Sequence, residues 1–476
     1  MITALAHKHN VCRVFIYTLI DRLKTLLPLI FSSSKAIDRL SKKEIMKTIL
    51  SYRLEGGMSI GAISTIMRRE GLGYSGKSTI SQSLSAIGAL VPSIESIPIG
   101  NNFKITALMD EIFIGSRPIL IMVEPKSSVI LNIELADRRD AQTWSEHIEY
   151  LQSNRDVEII NTITDEGKGI LTGIKNTLPM VARQPDTFHA LSHRLGVWVH
   201  IFEKKAYGSI ENEYEREAVC LARKTQKAFD DKELLYQKAC EESVKAIDLY
   251  ENFSYLYTHT IRQLNPFHSN GELRDTTKAT EEIKTALELI ESLDHKKINR
   301  EIKSISKILP ELLNYFAQSK KAVKTCKSFG IKDNVIKVLS LAWQWSKAVI
   351  KAKNSERKRE AKERRELYMA TAQQILGKRY EHIKEKVFDQ LDNIIQASSM
   401  VENINSILRP YLDRSRNQVT QAFLNLFAFY HNHRVYDAGK RSGKTPIEIL
   451  TGEKQSKDWI ELLIDLIEEK EPSFFL

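Results

Sequence analysis

Apolar positions along the chain change period more than once, and each change marks a different kind of element. Residues 41–90 hold three short blocks at helical spacing. The first, KKEIMKTILSYRLE, turns Ile45, Ile49 and Leu50 to one side and stops at Gly56-Gly57; Ser59 caps SIGAISTIMRRE; GKSTISQSLSAIGAL follows a glycine-rich break at residues 71–76. From Phe103 the period becomes that of strands: FKITALMDEIFIG, PILIMVE and SVILNIELAD are β-rich runs separated by turn residues, which predicts three meandering strands. DAQTWSEHIEYLQS then predicts a helix, VEIINTIT a fourth strand, GILTGIKNTL a helix, and the stretch from Pro185 to His189 a short fifth strand. Residues 200–395 carry no convincing strand and are charged and helical in period throughout. Helix resumes at FLNLFAFYHNH, followed by a basic glycine loop and a short C-terminal helix.

The order β-β-β-α-β-α-β is the layout of an RNase H-like α/β core with a mixed five-stranded sheet, here interrupted by a large all-α insertion. The expected organisation is an N-terminal helical arm over 1–40, a helix-turn-helix domain over 41–98, and the first part of the core over 99–200. The helical insertion follows over 201–391, the second part of the core over 392–452, and a C-terminal helix over 453–476. The helix-turn-helix expectation rests on a glycine turn leading into a helix whose exposed face carries small hydroxyl and amide donors, which suits a major groove. Lys77, Ser78, Thr79 and Gln82 are its candidate DNA contacts; a plain three-helix bundle is the alternative. The string GLGYSGKS formally satisfies GxxxxGK[ST], but a phosphate loop needs a buried strand before it, and STIMRREG is charged and helical. No nucleotide is expected.

Composition narrows the partners. The 476 residues carry 70 Lys+Arg against 60 Asp+Glu, and residues 1–100 alone hold 13 basic against 6 acidic side chains. Residues 351–390 add 12 against 7. An excess gathered in two places suits a polyanion at those places. Residues 11–31 look apolar, yet Arg13, Asp21, Arg22 and Lys24 interrupt them, so an amphipathic helix packed on the protein is expected and no membrane span. Four cysteines lie far apart without CxxC spacing, which excludes a zinc ribbon or disulfide scaffold and points to a cytoplasmic setting.

Two carboxylates sit where burial alone would not put them. Asp110 interrupts the strand ITALMDEIFI, and Asp165 falls at the C-terminal end of IINTIT, where open α/β sheets bind ligands. A charge in such a strand costs several kcal/mol unless paired, protonated or bound to metal. On neighbouring strands the two would suit Mg²⁺. Glu111 and Glu166 directly follow them and are rival ligands, although Asp110 and Glu111 must point to opposite faces of a strand. A third carboxylate, Glu402, lies in a helix beside apolar Val401, Ile404 and Leu408.

With these residues in view, the segments SxxVENxNSxLRPYL and FLNLFAFYHNHRVYDAGKRSGKTPIEILTG make the chain resemble bacterial insertion-sequence transposases of the Asp-Asp-Glu transposase and integrase superfamily. The resemblance implies that Asp110, Asp165 and Glu402 are the catalytic triad and hold two Mg²⁺ (or Mn²⁺) ions. It implies too that Glu166 and His189 support them from behind, His189 resembling a histidine found after the second Asp in some transposases. Arg409, Lys440, Arg441 and Lys444 become candidate phosphate contacts. The 237 residues separating Asp165 from Glu402 require the insertion to fold by itself and leave the Glu helix on the sheet. Double-stranded DNA, as element ends and target, is the implied partner, bound by a homodimer or larger assembly in association with the bacterial nucleoid. The implied activity is metal-dependent cleavage and transfer of DNA strands. Two alternatives stand beside it: a catalytically silent, domesticated DNA-binding relative, and an RNase H-fold nuclease acting on RNA or junctions. Trp343 and Trp345 could stack on a flipped base, against ordinary helix packing.

Overall fold

A computed structural model of the chain describes residues 2–31, 40–99, 102–352, 354–415 and 418–475. The chain divides into two compact units, one formed by residues 1–90 with 459–476, the other by residues 91–458.

The smaller unit is helical. Ser41 and Ser59 cap the helices Lys42–Leu54 and Ile60–Arg69 by accepting the Glu44 and Ala62 backbone N–H groups, as the sequence signature requires. With Lys77–Leu90 they bury Ile45, Met46, Ile49, Leu50, Ile63, Met67, Ile80 and Ile87. The C-terminal helix Trp459–Lys470 belongs to this unit, with buried Trp459 donating its indole N–H to Glu55 at 2.8 Å. Lys77, Ser78 and Gln82 stand exposed at the start of the third helix and Thr79 is half-buried. The GLGYSGKS string joins two helices, so no strand feeds it. The helix expected over residues 11–31 forms as Arg13–Phe31, but it does not pack as expected: Val14, Phe15 and Tyr17 are exposed. Among the described residues no helix is long and apolar enough to cross a membrane.

The larger unit is built on a five-stranded mixed sheet in the order β3-β2-β1-β4-β5, with β1 Phe103–Ile114, β2 Arg117–Val123, β3 Ile130–Leu135, β4 Val157–Thr164 and β5 Ala182–Pro185. The first three strands form the expected antiparallel meander, while β4 and β5 run parallel to β1. Helices cover both faces. Ala141–Asn154 and Lys168–Thr177 bury Trp144, Ile148, Ile170 and Ile174 against Ala107, Met109, Leu120 and Met122. Helices Ser399–Arg414 and Gln421–His433 bury Val401, Ile404, Leu408, Leu424 and Phe427 against Leu108, Ile112, Ile121 and Ile163 on the opposite face. Gly173 permits the close crossing of the first helix pair, since a Cβ there would lie 2.6 Å from Trp144 Cβ.

A bulge sets the phase of the two central strands. Ile105 pairs with Ile159 but Thr106 with Asn161, which leaves Ile160 over; from there Leu108 pairs with Ile163 on one face and Met109 with Thr164 on the other. The described residues from 194 to 391 are mainly helical, beginning with the long hairpin Arg194–Leu221 and Gln226–Gln263. They have a core of their own, including Phe253, Ile283, Ile302, Ile305, Tyr315 and Leu339. The block also docks on the open edge of the sheet. Buried Gln184 of β5 donates to the Leu312 carbonyl and accepts from Tyr315 N–H, so helix ends take up groups an edge strand would leave bare.

Candidate active site

Alternation along β1 decides which side each acid faces. Asp110 follows Leu108 by two residues and turns to the face covered by helix Ser399–Arg414, where Asn405 Nδ2 donates to its Oδ2 at 2.9 Å. Glu111 turns to the other face and pairs with Arg139 at 2.6 Å. Asp165 comes directly after the last residue of β4, itself registered with Met109, so the C-terminal end of β4 brings it next to Asp110. Its Oδ1 accepts the Gly167 N–H at 2.9 Å, which fixes the turn into the following helix. Glu166, expected to support the site, is engaged in an ion pair with Arg183, which also reaches Glu311 of the helical block.

Glu402 reaches this neighbourhood from its helix. Val401, Ile404 and Leu408 are buried on the sheet, and Glu402 stands at the margin with 45% of its side chain exposed. His189 Nε2 lies 3.0 Å from Glu402 Oε1. Asn405, three residues on, presents to Asp110 from the same side of the helix as Glu402, at i,i+3 spacing. Arg409, a further turn along, is exposed.

Two polar residues that the pattern of the sequence does not single out organise this arrangement. One is Asn405. The other is Asp186, 1% exposed, which immediately follows β5. Its Oδ1 accepts the Phe188 and His189 N–H groups at 2.7 and 3.1 Å, and its Oδ2 accepts the Ser398 N–H at 2.7 Å and the Ser398 hydroxyl. One carboxylate therefore fastens the turn of helix that carries His189 to the start of the helix that carries Glu402. Removing a charge-assisted network of this kind from a buried site costs several kcal/mol. The only sequence signal for Asp186 is an acid placed just before a helical turn.

The electrostatics of Asp110 are set by burial first. Burial pushes its carboxyl up to about 7, and the nearby Asp165 and Glu111 charges push in the same direction, against the Glu111 backbone N–H and His189. Asn405 Oδ1 is buried with no hydrogen-bond partner among the described residues. Desolvated, mutually repelling carboxylates beside an unpartnered amide oxygen are a donor set suited to a hard divalent cation. Among the described residues no three His, Cys, Asp or Glu side chains already converge as a closed metal cluster, in keeping with Glu402 being drawn to His189.

The remaining candidates divide. Arg441 directs its guanidinium to the Pro125 and Lys126 carbonyls at 2.8–3.2 Å and so holds the β2–β3 turn. Lys440 pairs with Asp392, and Lys444 is exposed. Trp343 is buried in the helical block and donates to Asp392 at 3.0 Å, as helix packing requires.

The family model described as Transposase, Mutator family matches residues 35–281, just over half of the chain. The chain belongs to the Mutator family of transposases. The match spans all five strands and both Asp110 and Asp165, and ends within the helical block before Glu402. A search of curated proteins finds no match. Membership in a transposase family implies a DNA partner, and Asp110 within β1 and Asp165 directly after β4 are the transposase's candidate centre.

Proposed function

We propose that this transposase cuts and joins DNA with an RNase H-like core whose Asp110, Asp165 and Glu402 form an Asp-Asp-Glu catalytic centre. One observation carries the reading: β1 and β4, in parallel register, bring two aspartates together beneath the helix that carries Glu402, and Asn405 of that helix binds Asp110. The strand order and the meander agree with an RNase H-like layout. Asp110, Asp165 and Glu402 would hold two Mg²⁺ (or Mn²⁺) ions. Divalent ions, when bound, polarise the phosphate and lower the pKa of a bound water.

The chain's own groups supply position. Asn405 fixes the Asp110 carboxylate, and His189 steadies Glu402 at the site margin. Asp186 keeps those two elements in register. No protein nucleophile is needed: water attacks the donor phosphodiester, its P–O3′ bond breaks, and the freed 3′-hydroxyl attacks a target phosphodiester in line, breaking that phosphate's P–O3′ bond and releasing the target strand's 3′-hydroxyl. The three helices of residues 42–90 would read DNA as a helix-turn-helix, with Lys77, Ser78, Thr79 and Gln82 at the contact and a dimer or larger assembly on the ends. Arg409 and Lys444 would meet phosphates near the centre.

The test is an assay of the purified chain on DNA bearing the element's ends. Nicked or cut ends with free 3′-hydroxyls, and joined products, are expected with Mg²⁺ and absent with EDTA. Tight binding without cleavage under both conditions would instead identify a silent DNA-binding relative.

A further inference from the structure

Outside the carboxylates, the most unusual electrostatic feature of the larger unit lies on helix Asp333–Lys351. Trp343, Lys347 and Lys351 follow one another at four-residue spacing and so share a helix face. The Lys347 ammonium sits 3.9 Å from the centre of the Trp343 ring and donates to the Ile394 carbonyl at 3.3 Å. Trp343 and Lys440 both reach Asp392, which draws Lys440 from the C-terminal glycine loop to the same place. Neither Lys347 nor Lys351 has a carboxylate ion pair among the described residues, whereas Lys126 nearby is paired with Asp389 at 2.7 Å.

Cations therefore gather here in excess of the acids that face them. Lys347 is pushed down to about 7, by burial first and then by Lys351 and Lys440. Lys351 remains exposed and Lys347 half-buried, so both are open to a ligand. Ile394, which accepts from Lys347, lies two residues before Gln396, whose carbonyl accepts the N–H and hydroxyl of Thr187; Asp186, the clamp between His189 and the start of the Glu402 helix, directly precedes Thr187, which puts this cationic surface beside the candidate active site.

We propose that Lys347, Lys351 and Lys440 form a phosphate-binding crevice that takes the DNA backbone next to the phosphodiester being cut. It rests on the reading of Asp110, Asp165 and Glu402 as a DNA-cutting centre. The helical block then acts as one wall of the DNA channel, with Trp343 holding Lys347 in place from below. A compact ammonium, unlike a guanidinium, can meet a phosphate from several directions, which suits backbone rather than base contact.

The experiment measures binding of the full chain to a fluorescent duplex at a series of salt concentrations. Each lost phosphate contact lowers the slope of log affinity against log salt by about 0.9. Lys351→Gln should lower the slope by about 1 and Lys347→Met with Lys351→Gln by about 2, equally for unrelated DNA sequences. Lys351→Arg should keep the wild-type slope, as should Lys284→Gln on an exposed helix elsewhere. Because Lys351 is exposed, its single variant remains informative if the double variant folds poorly. Wild-type slopes in Lys351→Gln and in the double variant would overturn the crevice. Asp110→Asn, assayed for cleavage in parallel, keeps the two readings apart: retained cleavage counts against the carboxylate centre, whatever the slopes show.

Discussion

Under the proposed carboxylate centre, Asp110→Asn is expected to abolish Mg²⁺-dependent strand cleavage while DNA binding is preserved. The amide keeps the size and the hydrogen bond to Asn405 but removes the negative charge that the site holds at considerable cost. The loss is expected to exceed roughly 10³-fold, equivalent to about 4 kcal/mol of transition-state stabilisation, because the proposed centre makes the carboxylate a ligand rather than a remote charge. Asp165→Asn and Glu402→Gln should fall into the same range, whereas Glu166→Gln should leave cleavage largely intact, since Glu166 is committed to Arg183. A gel assay of nicked and joined products reads all four. Retention of the wild-type rate by Asp110→Asn would remove the carboxylate centre altogether.

Acid sensitivity is the second large effect, and it comes from His431. This side chain, 1% exposed, lies in helix Gln421–His433 with its Nε2 2.9 Å from the Ser128 carbonyl. Its neighbour Asn432 bonds both the N–H and the carbonyl of Ile130, so the helix is stitched to the start of β3. Burial first, then Arg434, pushes His431 down to about 3 from an ordinary value of 6.5, and Arg441 adds to this while the Ser128 contact opposes it. The folded state thus binds this proton less readily than the unfolded chain. Stability from this group is complete above about pH 6.5 and is lost progressively as pH falls towards 3, by on the order of 4 kcal/mol. Thermal unfolding of the wild type between pH 4 and 8, against His431→Gln, isolates the contribution. The variant should lose stability at pH 8 but show a flatter dependence on acid; parallel curves would mean that His431 does not titrate in the unfolded chain alone.

How far the sequence discloses this architecture depends on the kind of signal. The first four strands are legible because their apolar runs are continuous and separated by turn residues, whereas the fifth, expected from Pro185 to His189, lies at Ala182–Pro185 without an apolar run, and Phe188–His193 is helical. Asp110 was conspicuous as a charge within an apolar run, and simple alternation separates it from Glu111, which the sheet turns towards Arg139. Asp165 alone could not be assigned a face from the sequence, because the leftover Ile160 reverses the alternation of β4 halfway along. Asn405 and Asp186 escaped notice for a different reason. Each acts through a partner distant in the chain, Asp110 in one case and Ser398 in the other, and no local period encodes that. The helix Arg13–Phe31 shows the converse limit: an amphipathic pattern gives the helix but does not say that its apolar face is buried. Arg441 looked like a phosphate ligand by type and place, yet its guanidinium is occupied by carbonyls of the β2–β3 turn.

Divalent-ion binding tests the carboxylate centre most directly. In a titration of Mn²⁺ followed by electron paramagnetic resonance, the wild-type chain should take up Mn²⁺ in competition with Mg²⁺, and Asp110→Asn and Asp165→Asn should each bind at least about tenfold more weakly. Equal Mn²⁺ affinity in the wild type and both variants would contradict the assignment of Asp110 and Asp165 as ligands.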